Sequence, residues 1–308
     1  MLTPMHELLQ DAKQGHYGIP APNVFSRFTM EACLQAADEL NAPVILGCPG
    51  VFGIEEMGEL ARFYERRYPK VPFALNLDHG GPFEHIIRAI RAGFSSVMVD
   101  RSTLPYDQNV AESKEVVKIA HAVGVSVEAE LGHVGQGNEY EETRDAGLTH
   151  PEEAASFVEE TGVDCLAVAV GTSHGAYKGT PHLEYDLLST IAQSVDVPLV
   201  LHGGSGTGDD LIAKAIACGI QKVNLWTDLS QASNMAVKAA IEADYARRPQ
   251  QEEDQRLPVR RDGRCGLQGS AQALHARVRL RRQGVRRLDD RGSHAFSAHQ
   301  PDLALLEL

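Results

Sequence analysis

No run in this 308-residue chain approaches the roughly twenty apolar residues that a bilayer crossing needs. The start, Met1-Leu2-Thr3-Pro4-Met5-His6-Glu7, lacks the basic and apolar regions of a secretory leader, and Thr3 before Pro4 reads as a helix start. Cysteine is scarce. The five cysteines (Cys33, Cys48, Cys165, Cys218, Cys265) are odd in number and form no CxxC pair, which suits reduced, mostly buried thiols better than a disulfide framework. A basic surface is missing too: the formal charge of -13 argues against nucleic acid as a partner. These absences point to a soluble, cytoplasmic protein that engages neither membrane nor nucleic acid. Lysine, in turn, is absent from residue 247 onward, where arginine becomes abundant.

What is present is enough apolar content, 43%, to bury a full core, and one α/β barrel is natural at this length. The apolar stretch Val71-Pro72-Phe73-Ala74-Leu75 is continuous rather than alternating, as in a buried parallel strand, and it runs into Asp78-His79-Gly80-Gly81. Burying Asp beside His is costly unless the two are paired or bind a metal. A solvated turn would hold them at no cost, so this stretch alone decides nothing.

Repetition lowers the weight of the solvated turn. After a short helix over 4–14, strands are predicted at 19–25, 43–46, 71–77, 95–99, 125–131, 165–170, 198–201 and 223–226. Helices are predicted at 29–40, 55–67, 83–92, 107–122, from 150, 183–194, 209–217 and 228–245. Most strands end in a polar residue suited to chemistry. Eight strands alternating with eight helices through short connections predict a (β/α)8 barrel. A doubly wound open sheet is the competitor, but it concentrates chemistry at one switch point rather than at most strand ends. The barrel is expected over 1–246. Residues 247–308, with stretches such as Arg277-Val278-Arg279-Leu280-Arg281-Arg282, show no sustained apolar period. They read as an atypical basic tail, disordered or non-homologous, for instance an out-of-frame C-terminus; a nucleic-acid arm fits less well because aromatic residues are almost absent.

In such a barrel the C-terminal strand ends converge on one site. They carry Asn23, Asp78, His79, Asp100, Glu130, His174, His202 and Asn224. Three histidines from three strands, each followed by glycine, suit a catalytic Zn²⁺ with one open position, and other divalent metals less specifically. A single histidine would more often be a satisfied core or surface residue. His202-Gly203-Gly204-Ser205-Gly206 then enters a helix, an arrangement that binds phosphate oxygens through successive backbone N–H groups and a hydroxyl.

Together with Leu77-Asp78-His79-Gly80, Val127-Glu128-Ala129-Glu130-Leu131-Gly132, Gly171-Thr172-Ser173-His174-Gly175-Ala176-Tyr177-Lys178, Leu201-His202-Gly203-Gly204-Ser205-Gly206 and Lys222-Val223-Asn224, the chain resembles the class II, metal-dependent ketose-bisphosphate aldolases. The resemblance covers about residues 1–246, nearest the tagatose and fructose bisphosphate branch. It implies zinc on His79, His174 and His202, with Asp100 and Glu130 lining an alternative metal position. It implies Asp78 as the acid/base at the cleaved bond. Asn23, Gly175, Lys178, Gly203, Gly204, Ser205 and Asn224, Leu225, Trp226 and Thr227 would hold substrate. A monovalent cation and a homodimer or homotetramer are further implications. The products would be dihydroxyacetone phosphate and an aldehyde such as glyceraldehyde 3-phosphate.

The reaction chemistry agrees. Cleaving a carbon–carbon bond beside a ketone leaves an enediolate that a Lewis acid stabilises. A Schiff-base route needs a lysine in a desolvated pocket, and no lysine is expected at the end of an apolar strand, since Lys222 is read as beginning the eighth. Departures from the family pattern are also visible. In the loop Gly135-Gln136-Gly137-Asn138-Glu139-Tyr140-Glu141-Glu142, Glu139 is the leading base, with Glu141 and Glu142 as competitors. Arg101 stands where glycine is usual, Trp226 where a small or acidic residue is usual, and Pro49-Gly50 near a usual serine. These changes leave the aldehyde partner open. Three alternatives follow: an aldolase for another phosphorylated ketose, an idle barrel serving as a partner or chaperone subunit, and a metal-dependent hydrolase.

Overall fold

The structure, a computed structural model, describes residues 1–139, 145 and 147–247. The predicted tail, apart from Arg247, lies outside the described residues. Helix α1 (Met5–Gln14) precedes a regular alternation of β1 (Ile19–Pro22), α2 (Arg27–Leu40), β2 (Val44–Pro49), α3 (Ile54–Arg67), β3 (Phe73–Gly80) and α4 (Phe83–Ala92). It continues with β4 (Ser96–Val99), α5 (Tyr106–His121), β5 (Ser126–Leu131), α6 (Pro151–Thr161), β6 (Cys165–Val168), α7 (Tyr185–Ser194), β7 (Leu199–Leu201), α8 (Asp209–Ala217), β8 (Ile220–Leu225) and α9 (Thr227–Arg247).

Every strand pair is parallel, in the order β1-β8-β7-β6-β5-β4-β3-β2. The two ends of that order meet through a bridge between Asn23 and Gly47, where the Val24 N–H donates to the Gly47 carbonyl at 2.7 Å. The expected (β/α)8 barrel is therefore present. Among the described residues no helix is long and apolar enough to cross a membrane.

The differences from the predicted boundaries have local causes. Helix α2 starts at Arg27 rather than 29 because Ser26 caps it: its Oγ accepts the Thr29 N–H while Thr29 Oγ1 accepts the Ser26 N–H. Strand β1 ends at Pro22, short of 25, because the chain leaves the sheet to reach that cap. The eighth strand begins at Ile220, not 223, since Gln221 and Lys222 interrupt the apolar run that sequence reading relies on. Lys222 is thus the third residue of β8 rather than its first. It is only 1% exposed, with Nζ 2.5 Å from Glu128 Oε2.

Two apolar layers hold the barrel. Outside it, Leu75, Leu77, Val97, Val127, Leu166 and Leu201 belong to one cluster with helix residues such as Leu34, Tyr64, Ile86 and Phe157. At the other face of the strands, Met5, Leu8, Leu9 and Ala12 of α1 cluster with Ile19, Ile45, Ala74, Met98 and Val200. Every side chain on these strands is buried except at a few C-terminal ends, which matches their continuous apolar pattern.

Helices α3 and α4 approach closely at Gly58, where a Cβ would stand 2.2 Å from the Ala92 carbonyl oxygen. Gly→Ala inside a helix normally stabilises by about 1 kcal/mol, whereas overpacking costs about 1–3 kcal/mol. Gly58→Ala is therefore expected to lower the thermal midpoint. A raised midpoint in a melting experiment would contradict this account of the contact.

Candidate active site

The site begins at an irregularity. Strand β3 shifts register against β4 between Leu77 and Gly80, and His79 within that shift has φ 50°, in the left-handed region. Such a conformation costs on the order of 1–3 kcal/mol for a residue with a Cβ. At the same bend a Cβ on residue 80 would fall 2.2 Å from the Met98 carbonyl oxygen, so only glycine fits after His79.

His79, His174 and His202 come together as expected, each with one ring nitrogen committed to an oxygen. His79 Nδ1 is 2.7 Å from Asp100 Oδ2, His174 Nδ1 is 3.2 Å from the Val134 carbonyl, and His202 Nε2 is 3.0 Å from Glu128 Oε1. With those nitrogens as N–H donors, the other three can each offer a lone pair once the ring is neutral. These face one another: His202 Nδ1 lies 3.1 Å from His79 Nε2 and 3.5 Å from His174 Nε2. Ligands held tetrahedrally at about 2.0–2.1 Å from zinc stand about 3.3–3.4 Å apart, so the spacing fits such an ion. Apart from the Asn224 amide, 3.4 Å from His202 Nδ1, these nitrogens face one another, and three imidazole nitrogens converging at this spacing fit a divalent metal.

His79, Asp100 and Glu130 form a second group whose ligand atoms all lie within 4.8 Å of one another. Glu130 Oε1 accepts the Val134 N–H at 3.0 Å, but the buried Oε2 has no hydrogen-bond partner among the described residues. Burial and the nearby Asp100 raise the Glu130 pKa, partly opposed by His202 and His79. Asp100 is held well below the usual carboxylate range: burial opposes ionisation, and the bonds to His79 and Ser102 outweigh it. In His79, burial favours the neutral ring, yet Asp78, Asp100 and Glu130 together raise its pKa to about 9. His174 goes the other way, to about 4, through burial and the two neighbouring imidazoles.

Asp78 lies near the end of β3, in register with Pro49 of β2, and is 4% exposed. Both its oxygens accept amide N–H groups, Oδ2 from Asn23 at 2.9 Å and Oδ1 from Asn224 at 3.0 Å. Burial works to raise its pKa, but His79, His202, Lys222 and the Asn23 bond bring it to about 2. It is an ionised carboxylate fixed in orientation by the ends of β1 and β8.

A cavity of about 310 Å³ opens above these groups. Asn23, Asp78, His79, His174 and Gly175 line it, as do Gly203, Gly204, Ser205, Asn224, Leu225, Trp226 and Thr227. Gly203, with φ 67°, is required where a Cβ would meet the Ser173 carbonyl oxygen at 2.3 Å. Ser205 Oγ already accepts the N–H groups of Trp226 and Asp228, so its own proton is left to donate. Lys178, also expected to hold substrate, is exposed and does not line this cavity; its backbone N–H donates to Gly137. The loop bearing Glu139 is stitched to the same place, through Gly137 N–H to the His174 carbonyl and His174 N–H to Gly135. The Glu139 side chain, Glu141 and Glu142 lie outside the described residues.

Some polar residues without an expected role are part of the assembly. Glu128, fully buried, bridges Lys222, His202 and Asn76, and its alternation with Glu130 along β5 is the signal that it shares the interior face. Its pKa is lowered: burial is outweighed by Lys222 and His202. Arg101 is buried away from the cavity, bonded to the Gly80 and Asp100 carbonyls and paired with Glu112. It ties together the ends of β3 and β4.

Known proteins share this architecture. A structure of the YdjI aldolase from Escherichia coli K12 is 31% identical, with a TM-score of 0.77 over 91% of this chain and 97% of that one. A Coccidioides immitis structure is 28% identical, with a TM-score of 0.75 over 91% of this chain and 96% of the other. A fructose-bisphosphate aldolase from Campylobacter jejuni, 24% identical with a TM-score of 0.74 over 92% of this chain and 94% of its own, shares the fold. The model of the family described as fructose-bisphosphate aldolase class-II matches residues 3–276, a span that holds every strand end described above, and the chain accordingly belongs to that family.

Proposed function

We propose that the protein is a zinc-dependent aldolase that reversibly cleaves a phosphorylated ketose to dihydroxyacetone phosphate and an aldehyde. The observation that carries this reading is the convergence of three imidazole nitrogens beside an ionised Asp78 that accepts two hydrogen bonds. A metal held by His79, His174 and His202 would supply Lewis-acid stabilisation of the charge that develops next to the ketone. Asp78 accepts the proton of the hydroxyl at the cleaved bond and returns it in the condensation direction. Asn23 and Asn224 hold it in place. Gly203, Gly204 and Ser205, with the start of α9, anchor the phosphate through N–H and O–H donors near a helix N-terminus. Glu139, on the loop tied to His174, moves the proton at the nucleophilic carbon. Fructose 1,6- and tagatose 1,6-bisphosphate are the substrates that the sequence resemblance names, and a cytoplasmic homo-oligomer is part of the same proposal.

Triose-phosphate release from either bisphosphate should stop with EDTA and return with Zn²⁺. Activity that survives EDTA but is abolished by borohydride with substrate would replace this reading with a Schiff base. His174→Ala should lose metal and turnover together. Asp78→Asn should keep the metal and lose about 10²–10⁴-fold in rate, and a near-wild-type rate would remove Asp78 from the acid/base role.

Metal binding also carries a proton signature. With its pKa near 9, His79 of the metal-free protein is protonated at pH 7, whereas His174, near 4, is already neutral. A metal must displace the His79 proton, so apparent affinity falls as pH drops below about 9 and levels off above it. Calorimetric titration at pH 7 in two buffers of different ionisation enthalpy should show close to one proton released from His79 per metal. No release would contradict the assigned protonation state.

A further inference from the structure

The rim formed by the ends of β8, β1 and β2 also carries three aromatic side chains that have no part in the chemistry above. Phe25, Phe52 and Trp226 meet there with every pair of ring centroids 5.6 Å apart; Phe52 and Trp226 stack at 19°, and Phe25 tilts against both. Phe25 is 41% exposed, and the other two are half-buried. None of the three belongs to either apolar cluster of the fold. Core packing therefore does not account for them, and contiguous apolar surface at the edge of a polar cavity marks contact with a ligand. Trp226 and Pro49 carry this wall into the cavity itself.

The position of Asp78 says which half of a substrate the wall meets. Its two amide partners come from the ends of β1 and β8, and its register neighbour is Pro49 of β2. These are the three strands whose following segments bear the aromatic residues. With the phosphate end anchored at Gly203 to Ser205, the oxygen that exchanges a proton with Asp78 belongs to the other product, the aldehyde. We infer that the Phe25–Phe52–Trp226 wall receives the aldehyde half and selects one without charge, so that the preferred substrate is a ketose carrying a single phosphate, on C1.

This rests on the aldolase reading above and narrows it. The face of an aromatic ring is the negative end of its quadrupole, which opposes a phosphate dianion and welcomes the C–H groups of an uncharged chain. A second phosphate would need charge-assisted donors. Among the described residues lining the cavity none is Lys or Arg, Lys178 lies off it, and Lys222 is committed to Glu128. In the step itself the C3–C4 bond breaks and the O4 proton passes to Asp78. The electron pair left on C3 takes a proton from the loop acid, so dihydroxyacetone phosphate and the aldehyde account for every atom.

The test compares kcat/KM of the zinc-loaded full-length protein on fructose 1-phosphate and fructose 1,6-bisphosphate, following dihydroxyacetone phosphate by coupled reduction. It is paired with condensation of dihydroxyacetone phosphate with glyceraldehyde or glyceraldehyde 3-phosphate. The monophosphate and the uncharged aldehyde should be favoured by about tenfold or more, the scale of one well-made aromatic contact. Phe52→Ala, and Phe52→Leu as a volume-keeping variant, should raise the KM for glyceraldehyde and shrink the preference while leaving the KM for dihydroxyacetone phosphate unchanged. Equal or better use of the bisphosphate overturns the inference and leaves the aldolase standing. A wild-type preference that neither variant alters removes the wall as its source. No triose phosphate from either sugar and no condensation, with zinc bound, overturns the aldolase reading and this inference with it.

Discussion

The site depends on where three imidazoles are forbidden to point. Each has one nitrogen occupied by a fixed acceptor, Asp100, the Val134 carbonyl or Glu128, so the remaining nitrogens are turned toward one another. The most demanding of these restraints is Glu128. A fully buried carboxylate is costly unless compensated, and here Lys222 on one oxygen and His202 on the other, with Asn76 beside them, provide that compensation. Lys222 and Glu128 therefore act on the site without reaching the cavity. Removing Lys222 would leave the buried Glu128 charge uncompensated, and removing Glu128 would release the His202 ring.

The same economy of position governs Asp78. Its two amide donors lie on strands that are neighbours across the sheet but stand at opposite ends of the chain, Asn23 after β1 and Asn224 on β8. Barrel closure is thus a condition for the Asp78 carboxylate being ionised and aimed, not just for stability. This links the pairing of β1 with β8, and the Asn23–Gly47 bridge beyond it, directly to the proton transfer proposed for Asp78.

Much of this was legible in the residue pattern because parallel barrel strands are buried on both faces and read as continuous apolar runs. The strand ends then stand out as the places where polar residues follow such runs, which is how His79, His174, His202, Asp78 and Asn224 are found together. What escaped is equally physical. Lys222 looked like a strand boundary because a buried cation breaks an apolar run just as a turn does, and only its partner, distant in sequence, distinguishes the two cases. The fit of Phe25 and Phe52 to Trp226 depends on three strand ends meeting in space. Arg101 faces α5 rather than the substrate, through contacts with Glu112 and two carbonyls that no local pattern foretells.

The left-handed backbone at His79 sets stability and function against each other at one position. Glycine would relax that bend, and asparagine would fit it better than histidine does, yet either would remove one of the three converging nitrogens. A library screened only for thermal robustness would be drawn at this position toward sturdier barrels that lack the proposed metal site, so on that proposal selection for a hardier catalyst must hold residue 79 fixed and seek its gains elsewhere.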